Sequence, residues 1–175
     1  MNRQLAVITG VAGIVANILL ILFFALAQPW HGVATRFDWL GPANDVVIVV
    51  QLATFIPVAL ALKRPATALG VAAMAAGVVL QLLLIVGLLS FEVQGPLITL
   101  CFLLLFVWTF LASRSFDRFG TLIGLAFPIG LALVALGFAV PDGVLRYVVF
   151  AVGGLLGGVA WLAFPVWPLL LARHL

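Results

Sequence analysis

Charged residues are scarce in this chain. They make up 7% of its 175 residues, and no acid or lysine falls deep inside an apolar run. That scarcity argues against a proton-coupled carrier, a retinal Schiff base or a charged ion path, all of which need ionisable groups at membrane depth. One cysteine, Cys101, rules out an internal disulfide or a CxxC redox pair. The histidines, His31 and His174, stand in a loop and at the tail. Paired transmembrane haem ligands are thereby excluded, and a metal site on His31 and Asp38 lacks further donors. Ser90, Ser113 and Ser115 all lie near the ends of apolar runs, which argues against an intramembrane serine protease. The expectation is a protein with no catalytic residue, metal or cofactor.

What the chain has in excess is apolar side chains, at 66% of residues and a mean hydropathy of +1.39. A helix crossing a hydrocarbon core of about 30 Å takes roughly 20 residues at about 1.5 Å each. Six segments qualify, at about 5–28, 45–62, 66–91, 95–113, 119–140 and 144–172. Pro, Gly and nearly all the charges collect between them. Short alternating strands, the mark of a barrel, are missing, and helices are the other structure that satisfies every backbone group in lipid. The predicted fold is therefore an all-α bundle of six transmembrane helices forming one domain over residues 1–175. Asn44 and Asp45 read as N-cap and first-turn acid of the second helix. The first segment also resembles a signal peptide, with Arg3 before the apolar stretch and Ala25-Leu26-Ala27 after it. Its core of about 20 residues exceeds the usual 7–15, so it is expected to stay as a helix.

The cations set the orientation. Arg3, Lys63, Arg64, Arg114, Arg118 and Arg173 fall on one side of a six-crossing path, and Arg36 and Arg146 on the other. By the positive-inside rule both termini face the cytoplasm, and the expected location is a bacterial plasma membrane. The same rule accounts for a pI near 10 and a net charge of +3. No nucleic-acid partner is needed; the cationic rim is one that anionic lipid headgroups would favour.

Small residues recur on the odd-numbered helices. The pattern runs Gly10-x-Ala12-xxx-Ala16, Gly70-x-Ala72-xxx-Ala76 and Gly124-x-Ala126-xxx-Gly130, with Thr9, Thr67 and Thr121 ahead of the glycines. Three tandem helical hairpins would produce it. Helix six carries overlapping GxxxG pairs in Gly153, Gly154, Gly157 and Gly158. Small residues four apart let backbones approach closely, so Ala12, Ala16 and these glycines are candidates for packing within the bundle, or against a partner subunit or second copy. Pro57, Pro128, Pro165 and Pro168 predict kinks.

Polar side chains at membrane depth are costly and mark candidate sites. Asn17, Gln51 and Gln81 come from three consecutive helices, at roughly 17, 9 and 14 Å from the outer ends. They are the candidate lining of an outward cavity, with Asn44 on the Gln51 face of helix two. Trp30 and Trp39 belong to the long outer loop above it, where they are ligand contacts or interfacial anchors. The expected ligand is small and apolar or lipid-like. Two alternatives stand beside this reading: a non-catalytic subunit whose amides bond one another, and a lipid-modifying enzyme using His31, Asp38, Asp45 and Glu92 on the outer rim.

In size, helix number, inside termini, small-residue face on helix one and long first outer loop, the chain resembles the substrate-binding subunits of energy-coupling-factor vitamin transporters. The resemblance is one of architecture and implies no ligand or residue role, because the family's local signatures are absent. The topology has a direct check. Cysteine introduced at Asp38 or Asp142 should react with an impermeant thiol reagent on intact cells, and cysteine at Arg64 or Ser115 should react only after permeabilisation.

Overall fold

The structure, a computed structural model, describes residues 2–173 and residue 175. Among the described residues it is all-helical, with six helices long and apolar enough to cross a membrane. Helix α1 (Asn2–Leu22) continues into a π-helical turn (Phe23–Ala27), and a short 3-10 turn (Pro29–His31) follows. Then come α2 (Leu40–Leu62), α3 (Thr67–Ile85), α4 (Phe91–Ser113), α5 (Arg118–Ala139), α6 (Val144–Ala163) and the short α7 (Val166–Leu171). Each of the first five helices packs on its successor, and α7 returns to α1 to close the ring. Large apolar side chains cover the outside, as Leu122, Leu155 and Val159 show at 67%, 69% and 62% exposure. Water would penalise that surface; lipid does not. The chain is a multi-pass membrane protein.

Several helix ends differ from the sequence expectation. Helix α2 begins at Leu40 with Trp39 at its N-cap, so Asn44 and Asp45 lie a full turn inside it. Gly41 and Pro42 do not stop it, because a first-turn proline has no intrahelical partner to lose. Helix α3 ends at Ile85, not near Phe91. Gly87 takes a left-handed conformation (φ 73°), Leu88 N–H donates to the Leu83 carbonyl at 2.9 Å and Gly87 N–H to Leu84 at 3.0 Å. That is a Schellman closure, and the glycine just past the C-cap Val86 was its signal. Span six is broken, not merely kinked: Pro165 contributes no N–H, and α6 gives way to α7 there.

The interior is built by glycine notches, chiefly on α1, α3 and α5, and by bulky rings, chiefly on α2, α4 and span six. Gly70 of α3 lies under the Trp108 indole of α4, and Gly10 of α1 under Leu169 and the Pro165 carbonyl. Gly124 of α5 lies against the α4 backbone at Phe106 and Phe110. Into the space so made, Phe55 of α2 is wholly buried, edge-on to Trp108 at 5.6 Å, to Trp167 at 5.7 Å and to Phe164 at 6.0 Å. Phe106 stacks on Phe127 at 4.2 Å and meets Phe164 at 4.8 Å. Edge-to-face and offset ring pairs add about 0.5–1.5 kcal/mol each beyond area.

The glycines of α6 divide by face. Gly153 and Gly157 cross α5 at Gly130, whose added Cβ would come closer than 3.0 Å to the Gly153 and Gly157 backbone. Gly154 and Gly158 point away, with nothing within 4 Å. Ala12 and Ala16 are both buried. The expected outcome is a graded alanine series read by thermal unfolding in detergent. Gly130→Ala should cost about 1–3 kcal/mol through forced separation of α5 and α6, whereas Gly158→Ala should cost nothing measurable.

Candidate functional site

The buried polar side chains are Thr9, Asn44, Gln51, Gln81, Gln94, Thr109 and Ser113, so polarity points into the bundle. Thr9 and Thr109 are accounted for locally. Each returns its hydroxyl to the carbonyl four residues back at 2.9 Å, and Thr9 also meets the Thr54 hydroxyl at 2.9 Å. Such back-bonding satisfies a hydroxyl without a ligand.

Three of the sequence candidates come together. Asn17 of α1 and Asn44 and Gln51 of α2 line one small cavity, with Ala16, Leu20 and Ile48 beside them and Phe102, Trp161, Phe164 and Pro165 as its far wall. The packing that places them is visible in the sequence. Asn44, Ile48, Gln51 and Phe55 follow the i, i+4, i+7 rule on one face of α2, and all four are buried. Asn17 donates to the Leu162 carbonyl at 3.3 Å, next to the α6–α7 break. Gln51 lies with its amide nitrogen against Gly13, where Pro165 also packs. The Asn44 Oδ1 has no hydrogen-bond partner although its residue is only 6% exposed. An unpaired buried carbonyl of this kind costs about 1–3 kcal/mol. The space open to water here is about 10 Å³, room for about one molecule.

Gln81 is elsewhere. Its Oε1 accepts from Gln94 Nε2 at 2.8 Å, and both residues are almost wholly buried. Gln94 was not a sequence candidate because it was assigned to a junction; the structure places it in the first turn of α4. Its signal was the stripe it shares with Phe102, Leu105, Thr109 and Ala112 at helical spacing. Trp30 and Trp39 are 63% and 60% exposed and stand outside the cavity lining, Trp30 stacked on Phe24 at 6.2 Å.

The rim candidates His31, Asp38, Asp45 and Glu92 make no hydrogen bond to one another among the described residues and form no metal-holding cluster. Asp38 accepts from Thr35 N–H at 3.0 Å and Thr35 Oγ1 at 2.8 Å, which folds the loop on itself. His31 lies beside Trp30, and Glu92 occupies the first turn of α4. At the opposite end of the bundle, Asp117 caps α5 by accepting from Phe119 and Gly120 N–H at 3.1 and 3.0 Å. The unpartnered Ser113 Oγ and Trp167 Nε1 crowd the same Gly120, which leaves no space there for a side chain.

No known family model matches the chain, and no curated protein or solved structure matches it. The architecture alone defines the class: a six-helix integral membrane protein with an amide-lined seam between α1, α2 and span six.

The glutamine pair makes a clean double-mutant cycle. Gln81→Leu and Gln94→Leu should each lower stability by about 0.6–2 kcal/mol by stranding the other amide. The double variant should recover most of that loss.

Proposed function

We propose that this protein binds, or helps to move, a small and mostly apolar molecule at the seam lined by Asn17, Asn44 and Gln51, entering from the side of the 28–39 loop. The observation that carries this reading is the unpartnered Asn44 Oδ1, buried in a lining that is otherwise apolar apart from Asn17 and Gln51. A carbonyl accepts and cannot donate. The ligand it fits therefore carries a hydroxyl or N–H on an apolar body that lies along Phe102, Trp161 and Phe164. Ligand pockets usually measure about 300–1,000 Å³, so a seam of about 10 Å³ has to open. Its weakest wall lies between α1 and α6. There α1 packs chiefly on α7, and Asn17 to Leu162 is the hydrogen bond across it. The charge asymmetry described above supports a plasma-membrane setting with the termini in the cytoplasm, and hence an outward entry.

A second reading, an accessory subunit that scaffolds a larger complex, is favoured by the Gln94–Gln81 hydrogen bond between helices and by the outward glycines of α6. Photolabelling separates the two. A diazirine-bearing fatty alcohol should label Leu20, Ile48 and their neighbours in preference to the lipid-facing Leu122 and Leu155. Asn44→Leu should reduce that labelling roughly five- to tenfold while leaving the fold intact. Even labelling of all apolar faces, with a stoichiometric partner chain in native mass spectrometry, would replace ligand binding by scaffolding.

A further inference from the structure

A larger cleft lies at the other end of the bundle, on the side of both chain ends. It measures about 420 Å³ and is lined by Ala61 and Leu62 at the close of α2, Arg64 in the next turn, Phe116 between α4 and α5, and Leu171 and Leu175. Five of these are apolar and one is a cation. Unlike the amide seam, the cleft already has the volume of a ligand site. The Arg64 guanidinium is stacked over the Phe116 ring at 4.1 Å, which occupies its face and leaves the in-plane N–H edge for an acceptor.

No carboxylate serves as that acceptor among the described residues. The ion pair they contain, Arg146 with Asp142, lies at the opposite end. Asp117, the acid on this side, has both oxygens engaged by the α5 N-terminus. Lys63, Arg114, Arg118 and Arg173 are exposed around the same end and add to the positive field. Because α2 stops at Leu62, the guanidinium stands where a helix leaves the hydrocarbon and the lipid headgroups begin.

We propose that this cleft is a site for one anionic phospholipid, its phosphate held edge-on by Arg64 and an acyl chain laid against Leu62, Phe116 and Leu171. A guanidinium edge matches two phosphate oxygens at once, and an apolar trough beside it rewards the attached chain. A zwitterionic lipid presents the same phosphate with a cation beside it, which the surrounding positive field disfavours. The proposal is independent of the amide seam and of what binds there.

The full-length chain, delipidated in detergent, is titrated with phosphatidylglycerol and with phosphatidylcholine of identical chains, and bound lipid is counted by native mass spectrometry. One phosphatidylglycerol per chain should be retained with a preference of roughly tenfold over phosphatidylcholine. Arg64→Gln should abolish that preference, and Arg64→Lys should weaken it through loss of the planar fork. Lys63→Gln, which removes the same charge from an exposed neighbour, should leave it intact. Equal retention of the two lipids, equal effects of Arg64→Gln and Lys63→Gln, or displacement of the lipid by millimolar inorganic phosphate would each overturn the proposal. These results would point respectively to non-selective lipid contact, a diffuse field and a soluble-anion site. Should Arg64→Gln prove unstable, Phe116→Leu tests the same cleft with the charge retained, and unchanged selectivity there also counts against it.

Discussion

Close approach of helix backbones at glycine notches is the constraint on which this bundle depends. In lipid, burying an apolar side chain gains little, because the tails outside are as apolar as the interior. What remains is fit. Gly70 receives an indole, Gly10 a proline carbonyl and a leucine, Gly124 the α4 backbone, and Gly130 the α6 backbone. Each contact lets α-helices come close enough for dispersion and ring packing to hold them.

The same constraint gives physical meaning to the recurrent Gly-x-Ala pattern. Gly10 and Gly124 each receive the element that precedes their helix around the ring, α7 and α4 respectively, while Gly70 receives α4, which follows it. The pattern therefore describes a shared notch more strictly than a shared neighbour. Helices α2, α4 and the α6–α7 pair supply the interlocked rings of Phe55, Trp108 and Trp167, of which Trp108 fills the Gly70 notch and Trp167 abuts Gly120.

Fold class and span number were legible because hydropathy over about 20 residues is a strong signal. The ends were less so. Hydropathy does not distinguish the last helical turn from the Val86–Ser90 stretch that follows it, since both are apolar; the distinction is carried by the Gly87 backbone alone. At Gln94 the error ran the other way. Glu92 and Gln94 look like a polar junction, yet Gln94 is drawn into the first turn of α4 because Gln81 offers it an acceptor across the interface. Which amides would meet was legible only in part: Asn17, Asn44 and Gln51 share a seam as expected, whereas Gln81 turns to Gln94. Depth along each helix follows from counting residues, but the rotation that turns Asn44 and Gln51 toward Asn17, and Gln81 toward Gln94, is decided by the notches and rings of all six helices together.

Three fates of an intramembrane amide are visible in this one bundle, and they rank its polar residues by what remains unexplained. Gln81 and Gln94 are joined by a buried hydrogen bond between α3 and α4, so helix packing accounts for their presence. Asn17 reaches a carbonyl beside the break that Pro165 makes in span six, so its role follows from that break. Asn44 is different. Its Oδ1 is buried without a partner, and a leucine in its place would remove a cost of about 1–3 kcal/mol without opening a void. Nothing inside the chain offsets that cost, which makes Asn44, more than the deeper Gln81 or the aromatic Trp30 and Trp39, the residue on which a functional account of the seam turns.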